Sequence, residues 1–144
     1  MTKKWIKGNG DLADIHNIRR VVFMDEQHVP EDEEMVVWED EASVHLIVYE
    51  GGAAVATGRI MVLNGKFYLG RIAVLKEHRG KGYGKIVTKE LIERAFEMGA
   101  LEIEIHAQTH ALGFYEGFGF EICSDEYEEA GIMHFTMTLK KRLC

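Results

Sequence analysis

The stretch Arg79-Gly80-Lys81-Gly82-Tyr83-Gly84-Lys85 gathers residue types suited to holding an anion. The alternating glycines leave backbone amides uncovered by a Cβ, Arg79 sets a planar fork of donors at the edge, and Lys81 and Lys85 add point charges. Where such a segment opens a helix, its first amides lack intrahelical acceptors and lie at the positive end of the macrodipole, so phosphate binds there. The plainer reading is a glycine-rich helix start without a ligand. Two nucleotide motifs fail at single positions. A P-loop needs Ser or Thr after Gly-Lys, but Gly82 follows Lys81; a dinucleotide fingerprint needs a third glycine where Gly82-x-Gly84 meets Val87. Acid–base groups are fewer. Tyr115, among Phe114, Phe118 and Phe120, carries a phenol that is protonated at neutral pH and can donate. Glu26, in Asp25-Glu26-Gln27-His28, and His134, near the C-terminus, are the groups most able to accept a proton, although a water relay can replace both. His106 and His110 are spaced i, i+4, but the first reads as strand and the second as a helix start, so no metal is expected.

The hydrophobic pattern says which elements must position these groups. Lys3 to Lys7 reads as a short strand, and Asp11 caps a helix whose apolar stripe of Leu12, Ile15, Ile18, Arg19, Val22 and Phe23 runs to about Asp25. Gln27 to Glu41, with the only proline and two acidic clusters, reads as a loop with one short turn of helix. Three antiparallel strands follow, Val44–Glu50, Ala54–Leu63 and Phe67–Val74, joined by Gly51-Gly52 and Asn64-Gly65; Asn-Gly is the sharpest short hairpin signal. A helix from Gly80 to Met98 is stopped by Gly99, Leu101 to Ala107 alternates as a strand, and a short helix spans about His110 to Glu116. A last strand, Ile132 to Leu139, sets Met133, Phe135, Met137 and Leu139 on one face and His134, Thr136 and Thr138 on the other. The expected fold is one α/β (α+β) unit over residues 1–144, a mixed, mostly antiparallel sheet flanked by helices.

Composition narrows the setting. The 144 residues include 24 acids against 17 bases, for a net charge of −7, and only two cysteines. A chain of this length buries a core without disulfides or a structural metal. Cys123 and Cys144 cannot make a secreted-type framework, so a reducing cytoplasm is expected. No apolar run reaches a membrane span and no hydrophobic stretch follows the basic N-terminus, so neither membrane nor export is expected. The acidic balance argues against nucleic acid and favours amine-bearing partners; the acidic runs 31–34, 39–41 and 125–129 would attract a cation if they are more than solvated loops.

With these residues in view, the chain resembles the GCN5-related N-acetyltransferase (GNAT) superfamily, in which Arg-x-x-Gly-x-Gly holds the pyrophosphate of acetyl-coenzyme A. Gly70-Arg71-Ile72-Ala73-Val74 is similar to the family's fourth strand, whose backbone pairs with the pantetheine arm, and Leu101 to Ala107 to the fifth, which splays away. Gln108-Thr109-His110-Ala111-Leu112-Gly113-Phe114-Tyr115, followed by Gly119-Phe120, resembles Asn-x-x-Ala-x-x-Phe-Tyr and its Gly-Phe, with Gln108 in place of Asn. Arg20 to Gln27 and Glu129 to His134 resemble the Val-Phe-x-x-Glu-Gln and Asp-Gly-Ile-Pro-His signatures of the ElaA/YjcF-like branch, with Ala130 and Met133 departing from the second. The resemblance implies the GNAT acyl-CoA N-acyltransferase fold and transfer of acetyl from acetyl-CoA, without a metal, to a primary amine of a small molecule by a monomer or homodimer. It also implies cofactor contacts from Ile72, Ala73, Val74, Arg79, Gly80, Lys81, Gly82, Tyr83, Gly84, Lys85 and Gln108, an oxyanion amide near Ala73 or Val74, and Tyr115 as acid. Glu26 is the first choice of base and His134 the second. A non-catalytic coenzyme A-binding module and a protein N-acetyltransferase are the alternatives.

Overall fold

A computed structural model describes residues 1–142; Cys144 lies outside them. Eight strands form one sheet in the order β1-β2-β3-β4-β5-β8-β6, with β7 also paired to β8. They are β1 (Thr2–Lys7), β2 (Ser43–Glu50), β3 (Ala53–Leu63), β4 (Lys66–Val74), β5 (Glu102–Gln108), β6 (Glu121–Ile122), β7 (Tyr127–Glu129) and β8 (Ile132–Lys140). Every pairing is antiparallel except β4 with β5. That parallel pair needs a crossover, which α4 (Tyr83–Glu97) supplies. Asn64 and Gly65 both adopt positive φ, 52° and 78°, as the tight β3–β4 turn requires.

Helices cover both faces of the sheet. The stripe Val87, Leu91 and Ala95 of α4 packs with Leu46, Ile60, Ile103 and Met137 on one face. On the other, Leu12, Ile15, Ile18 and Val22 pack with Ile47 and Ala73. Ile15 and Ile18 lie on α1 (Ala13–Arg19), which Leu12 precedes, and Val22 on its continuation as a π-helix over Arg20–Glu26. Gly58 lets α4 approach closely: a Cβ there would lie 2.7 Å from Leu91 and 2.8 Å from Val87.

Several local expectations change. The segment 27–41 holds two short helices, α2 (Glu31–Glu34) and α3 (Val37–Glu41), and two short strands, β6 and β7, stand where none was read. Arg19 lies in the helical stripe but is fully buried by charge pairing rather than by apolar packing. On β8 the face read as polar is not a solvent face at His134, which is buried, while Met133 on the apolar set is exposed. Tyr127 explains this exchange, because its ring stacks on His134 with centroids 6.1 Å apart. No helix among the described residues is long and apolar enough to cross a membrane.

Candidate active site

A fault in the sheet creates the site. β4 and β5 pair only from Phe67 to Leu69 and from Ile103 to Ile105, yet β4 runs on to Val74 and β5 to Gln108. Between Thr57 and Arg59 the β3–β4 register slips, so Arg71 and Ile72 together oppose Gly58. Arg71 adopts φ 52° at this bulge, which bends β4 away from its neighbour. The two strands diverge into a cleft of about 920 Å³. Ile72, Ala73, Val74, Arg79, Gln108, Tyr115 and His134 all line it.

At one end the glycine loop enters α4. Gly80 and Gly82 have φ of 78° and 87°, and a Cβ on either would meet nothing within 4 Å, so open space lies beside this turn. Gly82 is the left-handed N-cap, and neither it nor any side chain caps the helix. Lys81 and Lys85 make no ion pair among the described residues. Tyr83 differs from its loop neighbours: its side chain is buried and its hydroxyl donates to Glu50 Oε2 at 2.9 Å, leaving only its amide for a ligand. Arg79 donates from Nε to the Val74 carbonyl, and both terminal nitrogens meet Glu26 at 2.9 Å. Glu26 therefore stands beside the glycine loop, its two oxygens occupied by Arg79, and is not among the residues that line the cleft. Gln108 Nε2 donates to Gln27 Oε1 at 2.8 Å and bridges the gap between β5 and the end of the π-helix.

Tyr115 and His134 occupy the rest of the cleft. The Tyr115 ring is packed edge-on against Phe114 and Phe120, and burial pushes its phenol up to about 12. Its hydroxyl makes no hydrogen bond among the described residues. His134 lies in register with Gln108 across β5–β8, with Nδ1 2.7 Å from the Ile132 carbonyl. A carbonyl only accepts, so Nδ1 carries a proton, and Nε2 is the nitrogen that gains or loses one. Glu129 Oε2 is 3.9 Å from that nitrogen.

Behind the opposite wall lies a charge network that periodicity did not announce. Arg19 Nε donates to Glu34 Oε1 and Arg19 Nη1 to Asp40 Oδ1, each at 2.7 Å; Arg59 Nη1 reaches the same Asp40 oxygen at 2.8 Å. Arg71, projected by its bulge, pairs with Glu34 at 2.9 Å. Burial raises the Asp40 carboxyl, but Arg19, Arg59 and the His16 hydrogen bond outweigh it and hold it at about 2. Burial lowers Arg59 to about 10, still charged at neutral pH. The only signals in the sequence were an arginine inside an apolar stripe and acids that repeat beyond what a solvated loop needs.

A family model described as an acetyltransferase (GNAT) domain matches residues 12–141. YjcF of Bacillus subtilis (strain 168), an uncharacterized N-acetyltransferase, is 40% identical over 132 residues, covering 91% of this chain and 94% of its own. Escherichia coli ElaA superposes with a TM-score of 0.87 at 23% identity, over 96% of this chain and 99% of that one. The PaiA N-acetyltransferase of Thermoplasma acidophilum, solved in complex with coenzyme A, superposes with a TM-score of 0.74 at 15% identity over 98% and 100%. The splayed parallel pair, the open glycine turn at the start of α4 and the match across nearly the whole chain agree, and the chain belongs to the GNAT acetyltransferase family.

Proposed function

We propose that the chain transfers the acetyl group of acetyl-CoA to a primary amine of a small molecule by direct attack. The observation that carries this reading is the β4–β5 splay opening beside the uncapped glycine turn. The amides of Gly80 to Gly84, with Lys81, Lys85 and Arg79, hold the pyrophosphate. The β4 edge at Ile72, Ala73 and Val74 takes the extended arm, Gln108 faces it from β5, and an amide near Ala73 or Val74 meets the oxyanion. His134 Nε2 serves as base, a role supported by its free lone pair in the cleft, and Glu26 instead holds Arg79 until the phosphates arrive. Tyr115 stays protonated throughout the neutral range, and its free hydroxyl donates to the departing thiolate. The amine nitrogen forms the C–N bond as the C–S bond breaks. The nitrogen gives one proton to His134 and keeps the other as the amide N–H, while Tyr115 gives its proton to the thiolate and regains one from solvent.

Coenzyme A should raise the melting temperature while ATP and NAD do not, and acetyl-CoA with a panel of amines should release free thiol. Equal stabilisation by ATP overturns the cofactor assignment. Stabilisation by coenzyme A without acetyl transfer to any amine or peptide would leave a binding module. Tyr115→Phe should lower kcat by about 10²–10⁴-fold with coenzyme A affinity unchanged, because proton donation acts in the transition state.

A further inference from the structure

The contact between His134 and Glu129 is incomplete as it stands. The Nδ1 proton of His134 is committed to the Ile132 carbonyl, so whenever the ring carries one proton Nε2 is an acceptor, and Glu129 Oε2, also an acceptor, faces it at 3.9 Å. Two acceptors separated by that distance leave a berth for a group with at least two N–H donors. Both residues line the cleft, so the berth opens where an acceptor substrate arrives. Glu129 is held in place from behind: its Oε1 lies 3.4 Å from His106 Nδ1, and His106 Nε2 lies 2.9 Å from Glu104 Oε2. Placed between two carboxylates, His106 favours its protonated form, in which both ring nitrogens donate. The other charged and titratable groups around Glu129 are Tyr127, stacked on His134, Arg71 across the cleft, and Lys66, which meets Glu104 at 3.5 Å. The turn that carries Glu129 is tight, with Ala130 and Gly131 at φ 53° and 79°, so the carboxylate projects from a fixed hairpin.

We infer that Glu129 and His134 together receive the acceptor as an alkylammonium cation, with Glu129 the residue that selects the charged head group over a neutral aryl amine. The inference rests on the acetyltransferase reading above and deepens it. The R–NH3⁺ group donates one N–H to the Glu129 carboxylate and another to His134 Nε2. His134 then takes that second proton, leaving R–NH2 with its lone pair free to attack the acyl carbon; the imidazolium returns its proton to solvent. The sum is R–NH3⁺ and acetyl-CoA giving the acetamide, coenzyme A and one proton. His106 and Glu104 act through Glu129 and are positioning residues.

The test compares benzylamine, a cation at neutral pH, with aniline, which is neutral. In protein labelled with ¹⁵N-histidine, neutral His134 should show the Nδ1–H tautomer, and benzylamine should perturb its Nε2 signal while aniline does not. Glu129→Gln should abolish that perturbation, leave the coenzyme A-induced melting shift intact as a check on the fold, and raise KM for benzylamine about tenfold with a smaller change in kcat. An Nε2–H tautomer for neutral His134 overturns the berth, as does the absence of any His134 response to benzylamine or equal KM values in wild type and variant. Failure of coenzyme A binding or of acetyl transfer would sink the parent reading alone, because the tautomer and the ammonium titration are read without turnover.

Discussion

Arginine meets carboxylate in two contrasting places. Arg79 and Glu26 form a two-pronged pair with side chains 42% and 30% exposed, at the mouth of the glycine loop. Arg19 and Glu34 form a pair of similar length, 2.7 Å against 2.9 Å, with side chains 0% and 2% exposed, joined by Asp40 and Arg59. Geometry alone does not separate the two; solvent does. At the mouth, water screens the attraction and can solvate either partner alone, so the pair contributes little to stability and is free to exchange its carboxylate for another anion. Inside, neither partner can be left behind without an uncompensated charge, so the network fixes α1, α2, α3 and the β4 bulge in relation to one another. The same chemical pair is a replaceable contact in one place and a structural joint in the other.

The largest effect expected from this contrast is that of Arg19→Met, which strips Glu34 and Asp40 of their shared partner. It should cost about 3–5 kcal/mol in denaturant unfolding. A loss below about 1 kcal/mol would mean that Arg59 and Arg71 neutralise both carboxylates unaided. Acid should reveal the same network. Asp40 is held at about 2 against an ordinary 3.8, so its contribution is present above the ordinary value and is lost as pH falls toward 2, by roughly 2 kcal/mol. His45, whose Nε2–H meets the Asp40 carbonyl at 3.0 Å, is lowered by burial from 6.5; its contribution is present above 6.5 and declines as pH falls below that. Unfolding free energy measured from pH 8 to 2.5 should therefore fall in two stages, and Asp40→Asn should remove the lower one. The smallest effect belongs to Glu26→Gln, which should change stability by no more than about 1 kcal/mol. By freeing Arg79, it should also tighten coenzyme A binding a few-fold in calorimetry. Weakened binding would show that Glu26 steers Arg79 rather than competing for it.

The same contrast explains what could be read in the sequence. The glycine loop is local: Arg79 to Lys85 is one continuous segment whose glycines and charges stay together wherever the fold places them. The hairpin at Asn64-Gly65 and the stripe of α4 are equally local, and both stand close to where they were expected. The far end is assembled from residues remote in sequence, and no periodicity links Arg19 to Glu34, Asp40 and Arg59. Glu26 was read as a base because its neighbours are chemically unusual, but its partner lies 53 residues away, and only the fold shows that Arg79 occupies both oxygens. His134 was read onto a polar strand face, yet the short strand β7, too brief to leave a pattern, puts Tyr127 over its ring and turns a surface histidine into a cleft residue. The second half of the first helix was legible as helix and not as its wider π form, because the apolar stripe runs on through Val22 and Phe23 across the change of winding at Arg20.

The divergence of β4 from β5 has a further consequence, for self-association. An unpaired strand is an adhesive template, and proteins ordinarily shorten, charge or cover such edges at the rim of a sheet. Here an edge is exposed in the interior of the sheet, between the fourth and fifth of its strands. The cleft beside it is lined by Val22 and Phe23 of the π-helix and by Phe114 and Tyr115 of the short helix Leu112–Glu116. The fold thus keeps a sticky backbone available inside the sheet, where only what enters the cleft can use it.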